Sequence, residues 1–182
     1  MLEFVVFLLG STGIVFLSRH APRNFRSHGF PRFFALESIL GLAVLNARSW
    51  FFNPFSLPQL VSWTLLLASV FLAALSIHYL RRFGAPDKTI PDGERLAFEK
   101  TTQLVTMGPY HFIRHPMYAA LLYLAWGIML KQINLISTLL AVIASLVLFL
   151  TAVYEEQENL QNFGVDYAAY MKRTKRFIPL VL

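Results

Sequence analysis

Five long apolar segments constrain the fold of this chain more than any other feature. They lie at roughly residues 2–18, 33–47, 60–80, 112–130 and 133–154. A helix needs about 20 residues, with a range of about 17–25, to cross the hydrocarbon core of a bilayer. Hydrophobic residues make up 56% of the chain, whereas about 45–50% is usual in a soluble domain. The pattern predicts an all-α integral membrane protein with five transmembrane helices.

The basic residues are concentrated in every second connection between the apolar segments. This distribution predicts the orientation of the chain in the membrane. The first connection, the third connection and the tail hold four, six and four lysines and arginines, hence fourteen of the sixteen. The second and fourth connections hold only Arg48 and Lys131. Basic loops remain cytoplasmic, so the N-terminus is predicted outside and the C-terminus inside. A four-span arrangement without the second segment would separate the first and third connections across the membrane.

The chain is predicted to be a single membrane domain, 1–182, with three N-terminal spans within 1–80. A cytoplasmic loop, 81–111, follows, then a helical hairpin, 112–154, and a cytoplasmic C-terminal segment, 155–182. The loop exceeds the about 12–15 residues above which loops are usually functional or disordered. Residues 155–176 are polar and compatible with a helix that Gly164 interrupts. We read residues 1–18 as a retained first span, since no basic residue precedes them.

Several kinds of site are excluded or disfavoured by composition. The chain has no cysteine, which excludes disulfides, thiolate metal sites and a cysteine nucleophile. Its five histidines are scattered singly, so we expect no metal site. Membrane lipids, rather than nucleic acid, are the expected surroundings, with the basic residues 172–176 resting on anionic lipid. The sequence gives no indication of oligomeric state.

Polar residues concentrate in two blocks on the predicted cytoplasmic side, LVTMGPY at 104–110 running into RHPMY at 114–118, and EEQE at 155–158. The fourth and fifth spans form a hairpin, so residues equally far from about 132 lie at equal depth. At 1.5 Å per residue, Glu155 is predicted level with residues 109–110, and Arg114 level with residues 150–151. Pro116 suits the first turn of a helix, whose free N–H groups form an anion site beside Arg114.

Each of these features also has a structural interpretation. Arg114 and His115 are compatible with interfacial anchors, and Glu155 and Glu156 with a solvated helix end. Glu37 lies within an apolar segment, where an acidic residue is functional by default, but we place it near the cytoplasmic interface.

The C-terminal blocks resemble the isoprenylcysteine carboxyl methyltransferase family, which is related to the membrane phospholipid methyltransferases. The resemblance covers about residues 102–179. It is carried by LVTMGPY at 104–110, RHPMY at 114–118, EE at 155–156, FG at 163–164 followed by Tyr167 and Tyr170, and RFIP at 176–179. The first hundred residues match the family only in hydropathy and number of spans.

The resemblance implies a membrane methyltransferase that uses S-adenosylmethionine without a Rossmann domain. This agrees with the sequence, which has no G-x-G-x-x-G after a strand. Arg114 and Glu155 are implied as catalytic, with Glu155 facing the ammonium of the cofactor. The implied cofactor-binding residues are Thr102, Gln103, Leu104, Val105, Tyr110, His115, Pro116, Met117, Tyr118 and Glu155. The implied acceptor is lipid-like or a small apolar molecule, reached from the lipid.

The chain departs from the family at one position that concerns the acceptor. Members that methylate prenylcysteine usually carry an arginine one helical turn before the cofactor glutamate, and Thr151 stands there in this chain. Thr151 and Arg114 are therefore the predicted substrate residues. Either the acceptor lacks the carboxylate of a prenylcysteine, or Arg114 binds it in place of the missing arginine.

Two other functions remain as alternatives. One is a membrane NADPH-dependent reductase of the sterol reductase type, which shares a related C-terminal arrangement. The Glu155–Glu156 pair, the lack of cysteine and Phe163–Gly164 favour methyl transfer over it. The other is a non-enzymatic transporter or assembly protein, which leaves the polar cytoplasmic blocks unexplained.

Overall fold

The structure, a computed structural model, describes residues 1–19, 27–85 and 99–179. Within these ranges the chain is helical and has no β-strand, which confirms the predicted all-α class. The five helices are α1 (Leu2–Leu17), α2 (Gly29–Leu45), α3 (Leu57–Phe83), α4 (Pro116–Met129) and α5 (Leu135–Arg173). Two short 3₁₀ helices span Ala47–Ser49 and Gly108–His111.

Two of these helices, α3 and α5, are long and apolar enough to cross a membrane by length and composition. They have 27 and 39 residues, whereas the apolar helices α1 and α4 have 16 and 14. The arrangement of five spans stays a prediction, as does the orientation in the membrane.

The boundaries of the last two helices differ from the predicted segments. Helix α4 begins at Pro116, not at residue 112, because proline occupies the first turn, where its missing N–H costs nothing. Helix α5 continues beyond its apolar part, which ends at residue 154, as far as Arg173. Gly164 interrupts it with φ 54° and ψ −126°, in the left-handed region that glycine adopts readily.

Small and polar residues bring α3 and α4 close together. Ser62 Oγ donates to the carbonyl of Gly127 at 2.6 Å, and Ser69 Oγ donates to that of Ala120 at 2.7 Å. A Cβ at Gly127 would lie 3.0 Å from the Leu66 side chain. Such small residues allow the backbones of membrane helices to approach, where lipid supplies little hydrophobic drive for their association.

Helix α2 packs along α5, and α1 packs against α2. None of the residues of α1 is buried. Ser11 Oγ of α1 donates to Glu37 Oε1 of α2 at 2.9 Å. The carboxylate of Glu37 therefore has a partner within the helix pair, as polar groups in membrane helices generally do.

The two ends of the bundle have different characters. One end is closed by buried polar contacts, in which Lys131 Nζ lies 3.6 Å above the Trp63 ring and 3.0 Å from Gln59 Oε1. Asn46 Nδ2 donates to Ser137 Oγ there at 3.1 Å. At the other end, a cavity opens between the end of α3, the start of α4 and the middle of α5.

Candidate functional site

The segment that contains LVTMGPY lies against the end of α3. The carbonyl of Gly84 accepts hydrogen bonds from the backbone N–H groups of Thr102 and Gln103, at 3.0 and 3.2 Å. Gly108 has φ +60°, and a Cβ there would lie 2.5 Å from the Tyr79 ring. Only glycine combines this backbone angle with so close an approach, so Gly108 lets the segment lie flat on α3.

The RHP segment is bound to the C-terminal residues by backbone hydrogen bonds. The N–H of Arg114 donates to the carbonyl of Lys175 at 2.7 Å, and that of His115 donates to Arg176 at 3.0 Å. Phe177 is buried beside them. The C-terminal segment therefore holds the chain in an extended conformation just before α4 begins.

Glu156 joins these two segments to α5. Its side chain is only 4% exposed and accepts from Arg114 Nε at 2.8 Å and Arg176 Nη2 at 2.9 Å. Arg114 Nη1 also donates to the carbonyls of Met171, at 3.1 Å, and Thr174. The described contacts of Arg114 therefore hold protein segments together.

The side chain of Arg114 contacts Glu156, which lies beyond residues 150–151 on α5. Arg114 was predicted to lie level with residues 150–151, and the depth of its backbone stays a prediction. A 3₁₀ helix at Gly108–His111 and a bridge between Ile113 and Lys175 precede the start of α4.

His115 lies between the two glutamates. Its Nδ1 is 3.7 Å from Glu155 Oε2 and its Nε2 is 3.4 Å from Glu156 Oε1. Its ring stacks on Tyr118 with centroids 5.5 Å apart. Although Nε2 is within ion-pair distance of Glu156, it is buried without a hydrogen bond to any of the residues that the structure describes.

The carboxylates and the imidazole shift each other's titration. Burial lowers the pKa of His115, but its interactions with the negatively charged Glu155 and Glu156 together raise it by more. The pKa therefore lies above its ordinary value of 6.5. For Glu156, burial raises the pKa, but His115, Arg176 and Arg114 lower it to about 2. The pKa of Glu155 is also lowered, chiefly by His115, against the effect of burial. The glutamates are thus ionised at neutral pH.

The cavity encloses about 650 Å³ of space between atoms, and this figure includes open solvent. Four tyrosines and a phenylalanine line it, together with two carboxylates, Arg114 and His115. Its lining residues are Leu80, Glu99, Thr101, Leu104, Val105, Tyr110, Arg114, His115, Pro116, Met117, Tyr118, Glu155, Asn159, Phe163, Tyr167 and Tyr170.

Most of the residues predicted to bind cofactor meet in this cavity. Those that line it are Leu104, Val105, Tyr110, His115, Pro116, Met117, Tyr118 and Glu155, together with the predicted catalytic residue Arg114. Thr102 and Gln103 do not line it and instead face a neighbouring polar groove. Thr151 does not line it either: it is buried, and its hydroxyl donates to the carbonyl of Val147 at 2.8 Å.

The structure adds lining residues that sequence reasoning missed. Tyr167 and Tyr170 belong to a block that carried the family resemblance, but they were assigned no role. Tyr170 Oη donates to the carbonyl of Tyr110 at 2.6 Å. Glu99 had no signal in the sequence, because its ion pair with Arg32 joins residues 67 positions apart.

Glu158 also has a role that the sequence did not suggest. It accepts from the backbone N–H of His28 at 3.0 Å and lies 2.8 Å from His28 Nδ1. His28 is buried at the start of α2. The pair therefore fastens α2 to α5, one helical turn beyond Glu155.

Comparison with known proteins identifies the family. The sequence model of the phospholipid methyltransferase family matches residues 57–164, more than half of the chain. No curated protein matches the chain. The chain therefore belongs to the phospholipid methyltransferase family, which includes the isoprenylcysteine carboxyl methyltransferases, and this confirms the resemblance seen in its motifs.

The raised pKa of His115 predicts a pH dependence of stability. A group whose pKa is raised in the folded state stabilises the fold at pH values below its unfolded-state pKa, which is 6.5 for histidine. This stabilisation is lost as the pH rises through the folded-state pKa. We expect the melting temperature of the detergent-solubilised protein to fall as the pH rises above 6.5. In His115→Asn this fall should be smaller, and the melting temperature near pH 6 should be lower.

The control for this measurement is His111→Asn, since His111 is exposed. It should keep the wild-type dependence on pH. An unchanged pH dependence in His115→Asn would show that the imidazole does not interact with the glutamates as described.

Proposed function

We propose that this member of the phospholipid methyltransferase family transfers a methyl group from S-adenosylmethionine to a lipid-like acceptor. The observation that carries the proposal is the convergence of three separate motifs on one cavity. LVTMGPY, RHPMY and the glutamate pair each contribute lining residues. The family match supports methyl transfer independently of this geometry.

The residues present fit this cofactor. Glu155 is an ionised partner for an ammonium group. Helix geometry leaves the N–H groups of Met117 and Tyr118, in the first turn of α4, free to bind a carboxylate. Aromatic walls suit a sulfonium cation, since ring faces attract positive charge.

When bound, the cofactor would supply a methyl group activated by the positive charge on sulfur. The protein's contribution to such an in-line displacement is mainly orientation. Glu155 would orient the amino-acid end, while His115 and Tyr118 support its carboxylate. Glu156 and Arg176 would keep the RHP segment in position from behind.

Arg114 is better suited to positioning than to binding substrate. It lines the cavity, but its Nε and Nη1 atoms are engaged by Glu156 and by two carbonyl groups. Removing it would release the C-terminal segment as well as changing the cavity wall. We therefore assign the direct cofactor contact to Glu155 and a supporting role to Arg114.

The acceptor is proposed to lack the carboxylate of a prenylcysteine. The position of the arginine used by prenylcysteine enzymes is taken by Thr151, which is buried away from the cavity. Arg114 is already paired with Glu156, and the lining also has two carboxylates, Glu99 paired with Arg32 and Glu155 beside His115. An amine-bearing lipid suits such walls better than an anion does.

The site is proposed to face the cytoplasm in a multi-pass membrane protein. The distribution of basic residues supports this orientation. The cavity lies where the apolar part of α5 ends, so a water-soluble cofactor and a lipid acceptor could approach from different sides. A nicotinamide-dependent reductase or a non-enzymatic protein remains the alternative, and neither would bind S-adenosylmethionine.

Calorimetry with S-adenosylmethionine and, separately, NADPH tests the assignment. We expect the wild-type protein to bind S-adenosylmethionine, and Glu155→Gln to lower its affinity about ten- to a hundredfold. Charge-assisted hydrogen bonds contribute about 1.5–3 kcal/mol, and about 1.4 kcal/mol corresponds to tenfold. Glu37→Gln is the control, because Glu37 contacts α1. Binding of NADPH alone would support the reductase instead.

The acceptor can be tested with labelled S-adenosylmethionine. We expect methyl transfer to an amine-bearing phospholipid to exceed transfer to farnesylcysteine, because Arg114, the arginine of the described cavity lining, is engaged by Glu156. Arg114→Gln and Arg176→Gln form a matched pair, since both arginines bind Glu156 but only Arg114 lines the cavity. Efficient methylation of farnesylcysteine that only Arg114→Gln abolishes would identify Arg114 as a carboxylate-binding residue and contradict the proposal.

The orientation can be tested with reporter fusions in cells. A reporter inserted after Asn53 should read outside, and one fused after residue 182 should read inside, because the basic connections lie in the cytoplasm. A cytoplasmic signal at Asn53 would rule out the five-span arrangement.

A further inference from the structure

The cavity contains a second carboxylate, Glu99, that no motif indicates. Arg32 Nη1 of α2 donates to Glu99 Oε2 at 2.9 Å. The two side chains are only 12% and 15% exposed. Glu99 lines the cavity and Arg32 does not, so the carboxylate is the charge nearer to a ligand. The N-terminal half of the chain thus helps to build the site.

Glu99 and Glu155 belong to different walls. Glu155 is on α5, beside His115 and Tyr118. Glu99 precedes Thr101 in the segment that lies on the end of α3. Both nevertheless act on the hydroxyl of Tyr110: burial raises its pKa, and the charges of Glu155 and Glu99 raise it further. The two carboxylates and Tyr110 line the same cavity.

The proposed cofactor has two cations to match these carboxylates. A three-carbon chain separates its ammonium from its sulfonium. Methyl transfer breaks the bond between sulfur and the methyl carbon, whose electron pair stays on sulfur, while a lone pair of the acceptor forms the new bond to the methyl carbon. The product, S-adenosylhomocysteine, is therefore a neutral thioether at sulfur but keeps the ammonium. A carboxylate near the ammonium attracts S-adenosylmethionine and S-adenosylhomocysteine equally. A carboxylate near the sulfonium attracts only S-adenosylmethionine.

We propose that Glu99, held by Arg32, is the counter-charge for the sulfonium, while Glu155 serves the ammonium. This inference rests on the proposed function. It makes Glu99 a specificity-determining residue that favours binding of S-adenosylmethionine over S-adenosylhomocysteine. The attraction at sulfur disappears when the methyl group leaves, which favours release of S-adenosylhomocysteine.

The test measures the affinities of the full-length detergent-solubilised protein for both ligands by calorimetry. We expect Glu99→Gln to weaken binding of S-adenosylmethionine about tenfold and to leave S-adenosylhomocysteine nearly unchanged. Glu155→Gln should weaken both ligands by the same factor. Glu99→Asp, which keeps the charge, should retain the wild-type preference.

The matched control is Glu37→Gln, because the carboxylate of Glu37 contacts α1 and does not line the cavity. It should leave the ratio of the two affinities unchanged. A measurement on the wild type makes the test independent of variant folding. Sinefungin carries an amine in place of the sulfonium methyl and should bind more tightly than S-adenosylhomocysteine.

Two results would overturn the inference. One is an equal loss of affinity for both ligands in Glu99→Gln, and the other is a wild type that prefers S-adenosylhomocysteine to both charged ligands. In either case the proposed function would stand, since the cofactor still binds. If the wild type binds none of these ligands, the proposed function itself fails, and the inference fails with it.

Discussion

The buried carboxylate of Glu156 is the interaction on which the rest of the site depends. It lies on α5 and binds Arg114, from the chain that leads into α4, and Arg176, from the C-terminal segment. Three regions far apart in sequence therefore meet at one charge. A charge at 4% exposure is tolerated only with close partners, and removing one partner of such a group costs about 3–5 kcal/mol. Because Arg114 directly precedes His115, this contact also helps to hold His115 beside Glu155.

A second set of ion pairs attaches the N-terminal half to the site. His28 and Arg32 occupy successive turns at the start of α2 and bind Glu158 on α5 and Glu99 in the cavity wall. Helix α2 thereby fastens both walls, although its sequence carries no family motif. The apolar part of the bundle positions these groups by close helix packing, as at Gly127, where small residues let the backbones approach.

The resulting site combines negative charge with aromatic surface at the end of the apolar helices. Three arginines at or near the site each bind a glutamate: Arg114 and Arg176 bind Glu156, and Arg32 binds Glu99. A cavity of this kind suits a positively charged ligand. This charge pattern, rather than the fold alone, connects membership of the phospholipid methyltransferase family with the proposed cofactor and acceptor.

The sequence by itself determined the helical class, the family and most of the cavity lining. Long apolar runs predict helices because a lipid environment leaves few other ways to satisfy the backbone, and local rules identify Pro116 as a helix start and Gly164 as an interruption. Tertiary structure alone decided which charges meet. The pairs Arg32–Glu99 and His28–Glu158 join residues 67 and 130 positions apart, so no periodicity records them. The engagement of Arg114 by Glu156 was likewise hidden, because it joins residues 42 positions apart.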